Sequence, residues 1–113
     1  MSCPFCMIAQ GEIETGKIYE DKDMVVINDV NPQAPIHVLV IPKKHIESLL
    51  FAGQDDIEMF GKMLIVASNV AKQLLIDKTG YRIVINTNRD AGQSVDHLHI
   101  HMLGGRPMKW PPG

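Results

Sequence analysis

No run of about 18 apolar residues occurs in this chain, which excludes a membrane-spanning helix. An excess of charge of one sign is also lacking. Eleven basic and thirteen acidic side chains leave a net charge of −2, with a pI near 6.2. That balance gives no electrostatic footprint for nucleic acid, so neither nucleic acid nor membrane is expected as a partner. Cysteine is scarce. Cys3 and Cys6 are the only two, too few for the disulfide framework of a small secreted domain. The opening Met1-Ser2-Cys3-Pro4 lacks the charged and apolar regions of a secretory signal. Internal repeats, low-complexity stretches and linkers are absent too. What these absences leave is the expectation of one globular domain, residues 1–113, in a reducing compartment. The cytoplasm is the expected location, with the nucleus as the alternative.

The apolar residues that are present read as an α+β domain with a mainly antiparallel sheet. Residues 4–10 suit a short helical turn ended by Gly11. Met24 to Asn28 and His37 to Ile41 read as strands, the first closed by the turn Asp29-Val30-Asn31-Pro32 and the second by Pro42. A short helix is expected from Ile46 to Phe51. The clearest helix runs from about Asp55 to Ile76, where Ile57, Phe60, Leu64, Ala67, Val70/Ala71 and Leu74 recur at three- and four-residue steps. Tyr81 to Asn86 makes another strand, Thr87 to Ser94 a loop, and residues 104–113 an irregular tail carrying the only tryptophan, Trp110.

Five histidines are present, and three alternate in His97-Leu98-His99-Ile100-His101. Successive side chains on a strand point to opposite faces, so the segment predicts His97, His99 and His101 on one face and Leu98, Ile100 and Met102 on the other. One ion cannot readily take all three, because the outer Cα atoms of an extended strand lie about 13 Å apart. Imidazole suits nucleophilic and proton-transfer work near neutral pH. A central histidine can attack as the neutral base while a neighbour fixes its tautomer and the flankers stabilise charge on the electrophile. A phosphoryl or nucleotidyl group suits such a site. The loop Asp90-Ala91-Gly92-Gln93-Ser94 leads directly into the triad, with a glycine for close backbone approach and two side-chain donors.

Cys3-Pro4-Phe5-Cys6 has a spacing that lets two thiolates reach one ion, and zinc usually takes four ligands. Two buried thiols are the plainer reading. If a metal is held, the remaining partners must be histidines, with His45 and His97 as candidates. The triad would then divide its labour and leave His99 and His101 for catalysis. His37 reads as a core residue by itself, and Trp110 either docks on its own domain or reaches a partner.

Together these motifs resemble the histidine triad (HIT) family, in particular its Hint branch of purine nucleoside phosphoramidases. The resemblance rests on His97 to Leu103, Asp29, Pro32-Gln33-Ala34-Pro35 ahead of His37, Ile41-Pro42-Lys43-Lys44-His45, Gly92-Gln93-Ser94-Val95 and the ending Met108-Lys109-Trp110-Pro111-Pro112-Gly113. It covers essentially the whole chain. It implies a homodimer in which two five-stranded sheets join into one, each with a long helix and a short N-terminal helix. It further implies that His99 attacks an α-phosphorus to form a nucleotidyl-histidine, with His37 and His101 orienting it or holding phosphate oxygens. Asn86, Gly92, Gln93, Ser94 and Val95 would surround the phosphate and leaving group, with Ser94 near the departing amine. Asp29 would bind the ribose, and Phe5, Ile8, Ile27 and Val30 would form the purine slot. Trp110, in the tail, would end beside the partner subunit's site. The expected ligands are AMP, GMP and their phosphoramidates.

The paired cysteines depart from the vertebrate Hint pattern and match microbial HIT proteins that hold a structural zinc. In that pattern the ligands map to Cys3, Cys6, His45 and His97, one zinc per chain and none for the chemistry. Other readings are a Fhit-like dinucleoside polyphosphate hydrolase, a nucleotidyltransferase, a nucleotide-binding interaction module and a hydrolase that uses the triad as metal ligands. Ser94 and the Trp110 ending favour Hint. Transferases of this kind typically carry Gln where this chain has His101.

Overall fold

The structure is a computed structural model that describes residues 3–113. In chain order the elements are α1 (Pro4–Ala9), β1 (Lys17–Glu20), β2 (Met24–Asn28), β3 (Ile36–Pro42), two 3₁₀ turns (Leu49–Phe51 and Gln54–Asp56), α2 (Ile57–Gln73), β4 (Tyr81–Val84), α3 (Asn88–Ala91) and β5 (Ile100–Gly104). The strands form one antiparallel five-stranded sheet in the order β1-β2-β3-β5-β4.

Alternation along the strands divides the sheet's two faces between two helices. Met24, Val26, Val38, Val40, Ile100 and Met102 pack on one face against Met63, Val66, Ala67, Val70 and Ala71 of α2. Val25, Ile27, Leu39 and Ile41 pack on the other face against Phe5, Ile8 and Ala9 of α1. The larger cluster is the structural core, since each fully buried aliphatic side chain contributes about 1.5–3 kcal/mol. The smaller cluster sits beneath the histidines.

Local chemistry explains α1. Pro4 opens the helix where a missing N–H costs nothing, and Cys3 caps it by accepting the Cys6 N–H at 3.4 Å. Gly11, with φ +80°, follows its end. Gly104 closes β5 because a Cβ there would lie 2.7 Å from Ile76.

Several boundaries differ from the sequence reading. β1 was not expected from the residues, because Lys17-Ile18-Tyr19-Glu20 is short, edge-lying and flanked by charge. The helix expected over Ile46–Phe51 is only a 3₁₀ turn at Leu49–Phe51. The long helix spans Ile57–Gln73, and its stripe is rotated from the one read in the sequence. Met63 and Val66 are buried, whereas Ile57 and Leu64 are exposed. The expected loop contains the single turn α3, closed by Gly92 at φ +80°. The last strand begins at Ile100; His97 lies in a bend ahead of it, and His99 lies in the segment that joins the two. The division of faces survives that shift, since Phe5 of α1 meets His97 and His99 while Ile100 and Met102 join the α2 cluster.

Candidate active site and metal centre

The five histidines fall into two groups on the α1 side of the sheet. The Phe5 ring stands between them, edge-on to His97 at 5.9 Å and to His99 at 4.9 Å. Backbone groups decide what each imidazole can do, because they fix which nitrogen carries the proton.

The first group is Cys3, Cys6, His45 and His97, whose ligand atoms all lie within 4.8 Å of one another. Cys3 Sγ and Cys6 Sγ lie 3.2 and 3.5 Å from His97 Nδ1, and Cys6 Sγ and His97 Nδ1 lie 3.2 and 3.1 Å from His45 Nδ1. Donor atoms around a tetrahedral zinc, bound at about 2.0–2.3 Å, stand roughly 3.3–3.8 Å apart, close to this spacing. His97 Nε2–H donates to the Pro42 carbonyl at 2.8 Å, which leaves Nδ1 bare and aimed at the sulfurs. Burial pushes the His97 pKa down and keeps the ring neutral, as a ligand must be. Burial, with the hydrogen bond and charge of Cys3, pushes the Cys6 thiol up to about 11. A dication between the sulfurs would reverse that by favouring both thiolates. The Leu98 N–H donates to the Ile46 carbonyl and so holds the His45 segment beside His97. The Cys₂His₂ set suits one structural zinc ion and leaves no open position on it.

The second group is Asp29, His37, His99 and His101. His99 Nδ1–H donates to the His97 carbonyl at 2.7 Å, so a ring carrying one proton presents a bare Nε2. The Gln33 N–H donates to His37 Nδ1 at 3.0 Å, which places the His37 proton on Nε2. That proton is donated to His101 Nδ1 at 2.9 Å, with Asp29 Oδ2 at 3.4 Å. His101 is left with its proton on Nε2. Burial, with repulsion from His99 and His37, pushes His101 down to about 4, so it is neutral at pH 7. Asp29, His37 and His101 also lie close enough to suggest a metal. The Gln33 N–H argues against one, because a metal on His37 Nε2 would force the ring proton onto Nδ1, against another donor.

A cavity of about 600 Å³ opens over this group, within the range of small-molecule sites. It brings together Phe5, Ile8, Ile27, Asp29, Val30, Ser94, Val95, His99 and His101 from the sequence reading. His37 lies behind His101 rather than on the wall. Asn86 and Gly92 are not on the lining. The Gln93 side chain is occupied in holding its loop, accepting from the Asn88 N–H and donating to the carbonyls of Glu47 and Val95. Trp110 does not dock on its own domain and is 82% exposed.

Pro4, Glu14, Thr15, Gly16, Asn28 and Leu39 also line the cavity and were missed in the sequence. Leu39 was findable, since it shares the His37 face by alternation. The 14–16 segment carries no periodic signal. Arg106 was missed as well. Its guanidinium donates to the Gln33 carbonyl at 2.9 and 3.3 Å, tying the tail to the turn that positions His37.

The HIT domain family model matches residues 10–108, and the chain belongs to that family. A 14 kDa zinc-binding protein of Zea mays is 46% identical over 111 residues, covering 96% of this chain and 86% of the relative. The crystal structure of a HIT family hydrolase from Legionella pneumophila superimposes with a TM-score of 0.97 at 47% identity, covering 99% of this chain and 100% of that one. A histidine triad nucleotide-binding protein from Candida albicans gives a TM-score of 0.82 at 34% identity, covering 97% and 83%.

Proposed function

We propose that the protein is a nucleotide hydrolase that cleaves purine nucleoside 5′-phosphoramidates, such as AMP or GMP joined to an amine, to the nucleoside monophosphate and the amine. The observation that carries this reading is the His99 tautomer. Its Nδ1–H is held by a backbone carbonyl, and the ring lines a cavity of nucleotide size beside a neutral His101. Support comes from the Legionella relative described as a hydrolase and the Candida relative described as nucleotide-binding.

In this mechanism the His99 Nε2 lone pair attacks the α-phosphorus and the P–N bond breaks. The departing nitrogen takes the Ser94 hydroxyl proton. Water then attacks the phosphorus of the nucleotidyl-histidine, the P–Nε2 bond breaks to restore the ring, one water proton returns to Ser94 and the hydroxyl stays on phosphorus. His101 Nε2–H serves phosphate oxygens, and the Gln33–His37 relay keeps that proton in place. Asp29 binds the ribose hydroxyls, while Phe5, Ile8, Ile27 and Val30 hold the purine. Asn86, Gly92 and Gln93 act by shaping the phosphate loop. Zinc held by Cys3, Cys6, His45 and His97 would tie α1 to the triad segment and take no part in the chemistry.

The assembly belongs to the same reading. β4 is an outer strand of the sheet, and α2 leaves Ile57, Leu64 and Ile65 exposed, features that suit a two-fold dimer with a continuous sheet. The exposed Trp110 then reaches the partner's cavity. Sedimentation tests the dimer.

The function is tested by assaying AMP and GMP phosphoramidates against a dinucleoside polyphosphate, before and after exhaustive chelation. Turnover of the phosphoramidates that survives chelation supports the reading. Preference for the polyphosphate points to the Fhit-like alternative, and binding without turnover to an interaction module.

A further inference from the structure

The cavity's polar groups have a direction. Register places Lys17 opposite Ile27, Ile27 opposite Leu39, and Leu39 opposite His101. Ile27, Leu39 and His101 all line the cavity, so its floor is one row of residues crossing the sheet. Two inter-strand steps of 4.7–4.9 Å carry that row from His101 to Ile27, and a third reaches Lys17, about 14 Å from His101. With phosphorus at His99 and His101, the far end lies at the segment that enters β1. Glu14, Thr15 and Gly16 line the cavity there.

Two observations mark that end as more than a rim. Thr15 Oγ1 is buried with no hydrogen-bond partner among the described residues. An unmet buried hydroxyl is costly, and because this one is enclosed, rotation of the Thr15 side chain toward the cavity would let a ligand atom satisfy it. Beside it stands Glu14, whose ionised carboxylate can only accept. Asn28 and Asp29 also line the cavity, with Asp29 on the ribose in the proposed reading, and Phe5, Ile8, Ile27 and Val30 are apolar, so Glu14 and Thr15 are positioned to read a base edge.

We propose that Glu14 and Thr15 read the purine and make the site prefer guanine to adenine. The proposal rests on the purine-nucleotide reading of the cavity. Guanine presents, in order along one edge, the N2 donor, the N1 donor and the O6 acceptor. The Glu14 carboxylate accepts the two donors, and the Thr15 hydroxyl donates to O6. Adenine offers a bare N1 to the carboxylate, which repels it. Because Glu14 is exposed, water screens part of the contact and the discrimination is modest, about tenfold.

Calorimetric binding of GMP, IMP and AMP to the wild type, Glu14→Gln and Thr15→Val tests this without requiring turnover. Inosine keeps N1–H and O6 and lacks the N2 amine. The expected wild-type order is GMP tighter than IMP tighter than AMP. Glu14→Gln should bring GMP and IMP to within about threefold of AMP, and Thr15→Val should weaken GMP more than AMP. In the corresponding phosphoramidates the preference should appear in KM while kcat stays constant. An AMP preference, or base ratios unchanged in both variants, overturns the proposal alone. No binding of any purine nucleotide at millimolar concentration overturns the cavity reading and this proposal with it.

Discussion

His97 and His99 are two residues apart, both buried and both edge-on to Phe5, yet the proposed function gives them different chemistries. His97 gives its Nε2–H to Pro42 and turns Nδ1 toward two sulfurs. His99 gives its Nδ1–H to the His97 carbonyl and leaves Nε2 for the cavity. Residue type is the same for these two rings, and so is burial. What differs is the backbone carbonyl each ring meets. The comparison teaches that a histidine's role here is set by the group that holds its proton, with the neighbouring side chains deciding only what the bare nitrogen can bind.

The sharpest way to break the comparison is to remove one ring at a time. His99→Ala should lower kcat by about 10⁴ or more and leave nucleotide affinity within about tenfold, because the interaction lost is made in the transition state. Near wild-type turnover in steady-state kinetics would refute the nucleophile assignment. Cys3→Ala acts on the other group. It should abolish zinc retention in metal analysis and lower Tm. It should raise KM several-fold, because the helix that supplies Cys3 and Cys6 also supplies Phe5 and Ile8. Its kcat, measured below the lowered Tm, should stay within about tenfold of wild type. A wild-type Tm in the metal-free variant would show that the four residues hold nothing of structural value.

That division was partly legible in the sequence. The division of His97, His99 and His101 from Ile100 and Met102 survives even though the strand itself begins at Ile100, with Phe5 of α1 edge-on to the first two rings and α2 packed against Ile100 and Met102. The Cys3/Cys6 spacing together with two spare histidines was enough to nominate the metal set. The His37 relay was not legible from spacing, since it depends on a backbone N–H at Gln33 folding back four residues. The phase of α2 was misjudged because Ile57, Leu64 and Ile65 are apolar and exposed, so the apolar pattern was wider than the buried stripe. The far end of the cavity was invisible for a plainer reason. Glu14-Thr15-Gly16 forms no regular element and matters only through where β1 places it.

A smaller effect separates the two groups by pH. His101 has a folded-state pKa of about 4, below its ordinary value of 6.5. Between those values the unfolded chain binds a proton that the folded one does not. Stability from this ring is therefore full above about pH 6.5 and is lost as pH falls toward 4. His101→Gln, compared with wild type in its zinc-loaded form, should flatten the fall of Tm between pH 7 and 5. Equal slopes would mean that burial of His101 is not what sets its charge. The smallest expected effect belongs to Arg106, which touches neither group and positions His37 through Gln33. Arg106→Ala should lower kcat about threefold and shift its pH profile, with KM and zinc content unchanged. A kcat and pH profile identical to wild type would show that the tether is only a surface contact.

The most direct test of the division of labour is to count both groups in one sample. Zinc-loaded protein is mixed with a purine nucleoside phosphoramidate, quenched within a turnover into alkaline denaturant, and mapped by peptide fragmentation. Zinc is measured on an unquenched aliquot that has passed through the same turnover. The account predicts one nucleotidyl group on His99 and about one zinc per chain retained throughout. A nucleotidyl group on His97 or His101, or its disappearance when zinc alone is withdrawn from protein that remains folded, would contradict it.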